Sequence, residues 1–422
     1  MKMNEDFLQY IWRTRQFNCS KLTTTEQFNL EIIDFGIYNT NAGPDFLQAK
    51  IKIQEIIWTG HIEIHINSSD WYKHKHSSDP AYQNVILHVV YHMDIPVILN
   101  GRTIPSLELK YRIPKIYYSN YKKLISGNQR WIPCQDLLNS ITPVLQQSWL
   151  DRLGMERIMS KAREASKLLH LLNQDWETCF YILLAKYLGG TVNGHAFQRL
   201  AESVPLSIIR KNSHRPDYLL ALFLGQSGLL GEYYLSEYHR KLGPLYEFLR
   251  TKYSLKPMQK VEWKFSRMRP GSFPHHRIIQ LSSIQGLGNS LFSELKEKLN
   301  EYQAKDQLIC LNPEFDHFLL HQIRKTKIST ELSQHLIINA FIPLYVLYTE
   351  YYQPFYSREK LIKILENLKP EKNKITLGWN KYGIKPVHAF HSQGLIELKK
   401  SYCEKKNCLK CAFGHMIIQG GK

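Results

Sequence analysis

The chain has 422 residues, 43% of them hydrophobic and 22% charged, which is enough to bury a core and favours two or three domains. Its formal charge of +18, from 55 Lys and Arg against 37 Asp and Glu, favours nucleic acid as a polyanionic partner, although a composition bias of the genome would have the same effect. No basic-then-apolar export signal opens the chain, no run reaches the roughly 18 apolar residues of a membrane span, and seven mostly scattered cysteines suit free thiols, which together predict a cytoplasmic protein that binds no membrane.

The first third of the chain predicts an α+β domain over residues 1–138. Apolar residues recur at helical spacing near the N-terminus, and runs of alternating or continuous β-branched residues follow, separated by Gly, Asn and Pro. In chain order we expect a helix at 4–18, strands at 28–36, 46–53 and 58–67, a polar segment at 68–83 that forms a short helix or loop, a buried strand at 85–91, and a strand pair at 95–111 that turns at Asn100-Gly101.

The second and third predicted strands bring acidic side chains together. A hairpin around residue 55 would place Asp45 across from Glu63 and His65, and the two-residue alternation puts His61, Glu63 and His65 on one face. Two carboxylates at close range repel each other unless a positive charge lies between them. The pattern therefore indicates a divalent cation with oxygen ligands.

The segment GPDF at 43–46, followed by Glu63-Ile64-His65 on the next strand, resembles the core of the PD-(D/E)XK nuclease superfamily. That resemblance implies a restriction-endonuclease-like α-β-β-β-α-β core, in which Asp45, Glu63 and the carbonyl of Ile64 hold Mg²⁺. The superfamily has a lysine, which helps to activate the attacking water, where this chain has His65. A histidine there could act as a neutral ligand or general base, which would admit Mn²⁺ as well as Mg²⁺, or the site could be non-catalytic.

A longer set of segments resembles a widespread bacterial family that is characterised only as a domain of unknown function. The segments are NAGPDF, the W-x-G-x-x-E-I-H strand, SSDW-x-x-H-x-H, NVILHVVY, the run from tryptophan to arginine at 263–277, and YC-x4-C-x2-CAFG. This resemblance covers nearly the whole chain and implies that the segments share one architecture. It implies no activity.

The other histidines of the first domain have structural and functional interpretations. His88, within a buried strand, could be a hydrogen-bonded core residue or could support the site, and His74 and His76 could be solvated or could face the cation. Asp70 could cap the segment after the third strand or orient an imidazole. A competing hypothesis is a zinc hydrolase whose ion is held by His61, His65, His88 and Asp45.

Residues 139–300 predict a helical domain, because apolar residues recur at helical spacing with charged partners four residues apart. Within it, the segment at 263–277 interleaves aromatic and basic residues around a Pro-Gly turn. Such a surface could contact nucleic-acid phosphates, or its arginines could pair with acids between domains. The candidate phosphate contacts are Lys264, Arg267, Arg269 and Arg277.

Residues 301–422 predict a third, mainly helical region with a buried helix stopped or kinked at Pro343, and end in a cysteine cluster. Cys403, Cys408 and Cys411 have C-x4-C-x2-C spacing, which suits zinc or a [4Fe–4S] cluster in a closed, structural site. Three thiolates are one ligand short, and either His415 or the distant Cys134 could be the fourth. Otherwise the segment is a tail with unligated thiols.

Two functional hypotheses of different classes follow. The first is a metal-dependent nuclease that hydrolyses phosphodiester bonds in DNA or RNA, with the metal at Asp45 and Glu63 and with His65 assisting the water. The second is a non-catalytic module that binds nucleic acid or protein and in which the metal is structural.

Overall fold

The computed structural model describes residues 3–127, 130–230, 237–266, 268–286, 290–301, 328–352 and 358–421. Its contacts group into two compact units, one formed by 1–146 with 399–422 and the other by 147–398. The first unit contains a mixed β-sheet and the second is helical, so the predicted α+β class with a helical C-terminal part is confirmed. The C-terminal residues 399–422, with the cysteine cluster, fold with the sheet rather than with the helices that precede them.

The sheet unit opens with a short helix, α1, whose ends follow from local chemistry. Asn4 accepts a hydrogen bond from the backbone N–H of Phe7 (3.2 Å), and two acidic residues occupy the first turn. The predicted helix continued to residue 18, but it ends at Arg13 because Arg15 adopts a positive φ of 57°. Helices of this unit are α1 Glu5–Arg13, α2 Asp70–Lys73, α3 Lys115–Ile125 and α17 Ala412–Ile418.

The sheet combines an antiparallel hairpin with a parallel half. Its strand order is β1-β3-β4-β5-β8, with β2 also paired to β3; β1, β3 and β4 are antiparallel, and β4, β5 and β8 are parallel. The predicted hairpin of the second and third strands is therefore present. The strands are β1 Leu30–Asp34, β2 Ile37–Tyr38, β3 Phe46–Ile53, β4 Ile56–Asn67, β5 Val85–His92, β6 Ile98–Leu99, β7 Arg102–Thr103 and β8 Ser106–Glu108.

Turn residues set the limits of several strands. The predicted strand at 28–36 is observed as the shorter β1, and the chain then turns into β2 at Gly36, whose φ of +83° would be strained for any side chain. The β6–β7 pair turns at Asn100 and Gly101, both with positive φ, as the sequence predicts. The polar segment after β4 forms α2 and two 3₁₀ turns, His76–Ser78 and Pro80–Tyr82.

The helical unit packs around one apolar core built from most of its helices. A long helix begins at Thr330 and continues to Tyr352 through a π-helical turn, Ile337–Phe341. Pro343 lies just after that turn, so the missing N–H is accommodated by wider winding and the helix does not stop. This helix is long and apolar enough to cross a membrane by length and composition alone, but 78% of its most apolar window is buried, as in a core helix.

Further helices complete the second unit. They are α4 Pro143–Leu171, which starts in the first unit, α5 Trp176–Leu188, α6 Gly190–Ser203, α7 Leu206–Asn212, α8 Pro216–Gln226, α9 Glu237–Tyr253, α10 Pro274–Gln285, α11 Leu291–Glu301, α12 Thr330–Leu336, α13 Ile342–Tyr352, α14 Arg358–Asn367, α15 Lys374–Lys381 and α16 Ala389–Glu397.

A buried polar network crosses the core of the helical unit. The ammonium group of Lys161 donates hydrogen bonds to the side-chain oxygens of Asn339 and Gln393. The carboxylate of Glu371 accepts from the side chains of Asn339 (3.1 Å) and Gln393, and lies 2.7 Å from Nδ1 of His335. Each charged member therefore has partners, which is the condition for burying charge without a large loss of stability.

Candidate metal centre

Asp45 and Glu63 meet at the start of the β3–β4 hairpin. Asp45 directly precedes β3, and its backbone N–H donates to Oε2 of Glu63 on β4 (3.1 Å). The Asp45 carboxylate accepts from the backbone N–H of Ile64 (3.0 Å) and from the side chain of Gln9 on α1 (2.8 Å). Glu63 is only 5% exposed. Antiparallel pairing and the two-residue alternation thus place the two acids side by side, as the sequence predicts.

Two imidazoles lie beside the other carboxylate oxygen of Glu63, and a third lies beside one of them. Oε1 lies 3.5 Å from Nε2 of His65 and 3.4 Å from Nε2 of His76. The ring nitrogens of His65, His74 and His76 all lie within 4.8 Å of one another. Nδ1 of His74 lies 3.1 Å from Nε2 of His65, so His65 links the histidine group to Glu63. Imidazole nitrogens with a carboxylate oxygen suit Zn²⁺ and other transition metals better than Mg²⁺.

The backbone is tightly turned between the two loop histidines that lie beside His65. His74 follows α2 and His76 starts the next 3₁₀ turn, and between them Lys75 adopts a left-handed conformation with φ +61°. Residues two apart share a face in extended backbone, but this loop is tightly turned. The His-Lys-His spacing alone therefore does not predict that the two side chains lie together. His74 is exposed, whereas His65 and His76 are buried, so the cluster opens to solvent on one side.

His88 supports the cluster from the neighbouring strand. It lies opposite Glu63 in the parallel β4–β5 pairing, is fully buried, and its Nε2 shares a hydrogen bond with Nδ1 of His65 (2.8 Å). This contact sets the orientation of the His65 ring and leaves Nε2 of His65 facing Glu63 and His74. Metal-binding histidines commonly have such a partner on their second nitrogen.

Two aromatic side chains pack against the histidine cluster. Trp71 of α2 is fully buried, and its ring centroid lies 5.4 Å from those of His76 and His88. Tyr82 stacks on His76 with centroids 3.8 Å apart. Nε2 of His76 is buried and makes no hydrogen bond within the described part of the chain. Because a buried polar atom without a partner is costly, this nitrogen fits the role of a metal ligand.

Burial shifts the pKa values of the acids and of the imidazoles in the cluster in opposite directions. Burial, and then the charge of Asp45, raise the pKa of Glu63 to about 9, and burial raises the pKa of Asp45 to about 6. Burial lowers the pKa of His65 to about 2, of His88 to about 3 and of His76 to about 4. The imidazoles are therefore neutral near pH 7, with nitrogen lone pairs available, and the carboxylates need a cation to be ionised together.

Two residues named in the sequence hypotheses make other contacts. His61 accepts a hydrogen bond from the backbone N–H of Gln48 through Nδ1 (3.3 Å), and the imidazoles grouped with His65 are those of His74 and His76. Asp70, the first residue of α2, accepts from the backbone N–H of Asn67 (2.9 Å) and pairs with Lys73, so its carboxylate stabilises the turn between β4 and α2. The donor set in the structure therefore differs from the zinc set of His61, His65, His88 and Asp45.

The candidate phosphate contacts of the helical unit do not all face outward. Lys264 and Arg269 are exposed, whereas Arg277 is partly buried and donates to the side-chain oxygen of Gln280 (2.9 Å). Burial lowers the pKa of Arg277. Arg267 lies outside the described residues. The two exposed residues are the candidates that remain in a position to contact a partner.

The predicted ligands of the second metal site lie in the sheet unit. Cys403, Cys408 and Cys411 line one small cavity together with Cys134. Nε2 of His415, the other candidate fourth ligand, lies 2.8 Å from the carbonyl oxygen of Leu409.

Comparison with known proteins gives a family and no function. No curated protein and no solved structure matches the chain. A family model matches residues 5–374, which include the whole Asp45–His88 region and end before Cys403. The chain therefore belongs to the family described as "Protein of unknown function (DUF2851)".

Proposed function

We propose that the sheet unit is a divalent-metal-dependent phosphodiesterase that acts on nucleic acid. The observation that carries this proposal is the environment of Glu63, a buried carboxylate. One of its oxygens accepts from the backbone N–H of Asp45, and the other lies near the ring nitrogens of His65 and His76. A buried acid among neutral imidazoles is expensive unless a cation is bound, and sites of this kind concentrate at functional centres.

The residues of the site have distinct parts in the proposed reaction. Glu63, His65, His74 and His76 would hold the ion, and Asp45 would supply a further carboxylate ligand from the other side of Glu63. When bound, a divalent ion lowers the pKa of a coordinated water and polarises a phosphoryl oxygen. Exposed His74 lies on the open side, where a substrate phosphate has access. His88 holds the ring of His65 in place through the 2.8 Å contact.

The nitrogen-rich donor set makes a zinc hydrolase of this same site the second candidate. Three imidazoles and one carboxylate are typical ligands of Zn²⁺ and Mn²⁺, whereas Mg²⁺ prefers oxygen ligands and retains several waters. We therefore expect activity to be higher with Mn²⁺ or Zn²⁺ than with Mg²⁺. Cleavage that requires Mg²⁺ alone would favour the oxygen pair of Asp45 and Glu63 as the functional ligands.

Net charge supports nucleic acid as the substrate. A formal charge of +18 attracts phosphate polyanions, and Lys264 and Arg269 are exposed cations on the helical unit. None of the six described cysteines forms a disulfide, which supports the cytoplasmic location inferred from the sequence.

The test is divalent-dependent cleavage of labelled single- and double-stranded DNA and RNA by the full chain. Asp45→Asn and Glu63→Gln each remove one charge with little change of shape. Glu31→Gln, on an exposed position of β1, is the matched control. We expect both site variants to lose cleavage by at least about 100-fold and the control to retain it. Equal cleavage by all three variants would show that Asp45 and Glu63 do not carry the reaction. No cleavage by the wild type with any metal, while it still binds nucleic acid, would instead support a non-catalytic binding module.

A further inference from the structure

The C-terminal cysteines and a distant fourth cysteine line one cavity in the sheet unit. Cys134, Cys403, Cys408 and Cys411 share it with Leu124, Pro133 and Tyr402. The cavity is small, about 10 Å³. Cys134, Cys408 and Cys411 are buried and Cys403 is partly buried. About 270 residues of chain separate Cys134 from the other three.

Tight backbone turns bring the three C-terminal cysteines close together. Cys403 ends a π-helical turn, Leu398–Cys403, and Lys406 reverses the chain with φ +53°. The backbone N–H of Lys406 donates to the carbonyl of Cys403 (3.1 Å), and that of Cys411 to the carbonyl of Cys408 (3.3 Å). Cys411 then caps α17. Tight turns of this type between C-x2-C cysteines are common at tetrahedral metal sites.

A close helix contact supports the same arrangement. A Cβ added to Gly414 on α17 would lie 2.0 Å from the carbonyl oxygen of Cys408, a distance that atoms do not tolerate. Only glycine lets α17 lie this close to the turn that carries Cys408. The turn is therefore held from both sides, by its own hydrogen bonds and by the helix that follows.

The position of His415 decides between the two candidates for the fourth ligand. Its Nε2 donates to the carbonyl of Leu409 (2.8 Å), and its ring packs on Tyr10 with centroids 5.0 Å apart. His415 does not line the cavity, whereas Cys134 does. Cys134 is thus the thiol that completes a set of four.

We propose that Cys134, Cys403, Cys408 and Cys411 bind a metal centre through four thiolates. Four thiolates leave no open position, so the centre is structural. It would fasten residues 399–422 to the sheet unit, where Arg13 also donates to the carbonyl of Leu409 (3.0 Å) and Asn120 to that of Ile418 (3.2 Å). Zinc and a [4Fe–4S] cluster are the two centres that four cysteines commonly hold.

The first experiment is elemental analysis of the full chain purified without oxygen, together with its visible spectrum. The variant His74→Ala/His76→Ala removes ions held by the histidine cluster, so metal that remains belongs to the thiols. We expect one zinc per chain, or four irons with broad visible absorption, in the wild type and in this double variant. Absence of both metals from the double variant would overturn the proposal.

Cysteine variants test which thiols bind. We expect Cys134→Ser to lose the metal of the thiol site, and Cys19→Ser, at an exposed cysteine, and His415→Ala to keep it. Because Cys134→Ser could fail to fold, the double histidine variant is also stripped and titrated with Co²⁺, whose thiolate charge-transfer absorption reports sulfur ligands directly. Full metal content in folded Cys134→Ser, or a cobalt spectrum without thiolate bands, would contradict a four-thiolate site.

Discussion

Replacing Glu63 with glutamine tests whether the buried Glu63 side chain is protonated without a cation and ionised when one is bound. Burial and the charge of Asp45 raise the pKa of Glu63 from 4.5 to about 9. A carboxyl whose pKa is raised on folding contributes stability that is complete below pH 4.5 and is lost as the pH rises towards 9, because the unfolded chain ionises first. Between pH 4.5 and pH 7 the loss reaches about 3 kcal/mol, at about 1.4 kcal/mol per pH unit.

Without metal, we therefore expect Glu63→Gln to be more stable than the wild type at pH 7, by up to about 3 kcal/mol. Glutamine keeps an oxygen that can accept from the N–H of Asp45. The gain should be small near pH 5 and larger near pH 9. The lowered pKa values of His65, His76 and His88 have the opposite sign, since they cost stability as the pH falls below 6.5, but they occur in both proteins and cancel in the comparison at each pH.

The assay is hydrogen exchange of β4 and β5 peptides in urea, which reports the opening free energy of the sheet unit separately from the helical unit. Measurements with chelator are repeated with Mn²⁺. At 100 times its dissociation constant, the ion should stabilise the wild type by about 2.7 kcal/mol and the variant by much less. Glu31→Gln should match the wild type in both conditions.

Two results would refute the reasoning. One is a Glu63→Gln variant that is less stable than the wild type in chelator at pH 7, which would show that the ionised carboxylate is stabilised by protein contacts alone. The other is an equal gain from Mn²⁺ in the two proteins, which would place the ion away from Glu63.

Three further predictions concern other parts of the chain. Although burial raises the pKa of Glu371, the hydrogen bond and charge of His335 outweigh burial and lower that pKa to about 2. The ionised carboxylate therefore stabilises the helical unit above pH 4.5, and this stability is lost as the pH falls towards 2. Glu371→Gln should lower the free energy of unfolding by urea by about 3 kcal/mol at pH 6, and a loss below about 1 kcal/mol would contradict the prediction. Gly414→Ala should lower the metal content of the thiol site, because its methyl group cannot fit against Cys408; full metal content in folded protein would show that the helix can move. Replacing Lys264 and Arg269 with glutamine should reduce the slope of log affinity for nucleic acid against log salt by about one per residue, measured by fluorescence anisotropy, and an unchanged slope would exclude phosphate contact by these side chains.

Strand pairing was the part of the site that the sequence could predict. Alternation along β4 and a hairpin with β3 are enough to place Asp45 beside Glu63, because both follow from a two-residue period and antiparallel register. The burial of His88 was also predictable, since β5 is a continuous apolar run between two parallel neighbours.

The positions of the other candidate ligands depend on features that have no local sequence pattern. His74 and His76 both lie beside His65, and Lys75 between them takes a left-handed conformation, which is uncommon for a lysine and is not indicated by the local sequence. Cys134 was one of two candidates for the fourth thiol-site ligand, and choosing it required knowing that residues 399–422 fold with the sheet unit across most of the chain length. Contacts between distant segments are set by tertiary packing and not by periodicity.

The most direct test of the proposed metal centre is anomalous diffraction from crystals of the full chain soaked in Mn²⁺. The structure predicts a peak about 2.0–2.4 Å from Oε1 of Glu63 and from the nearest nitrogens of His65 and His76, and no such peak in Glu63→Gln crystals. A map without density between these residues at saturating Mn²⁺, or with the ion bound only elsewhere, would contradict a cation at this site and the phosphodiesterase built on it.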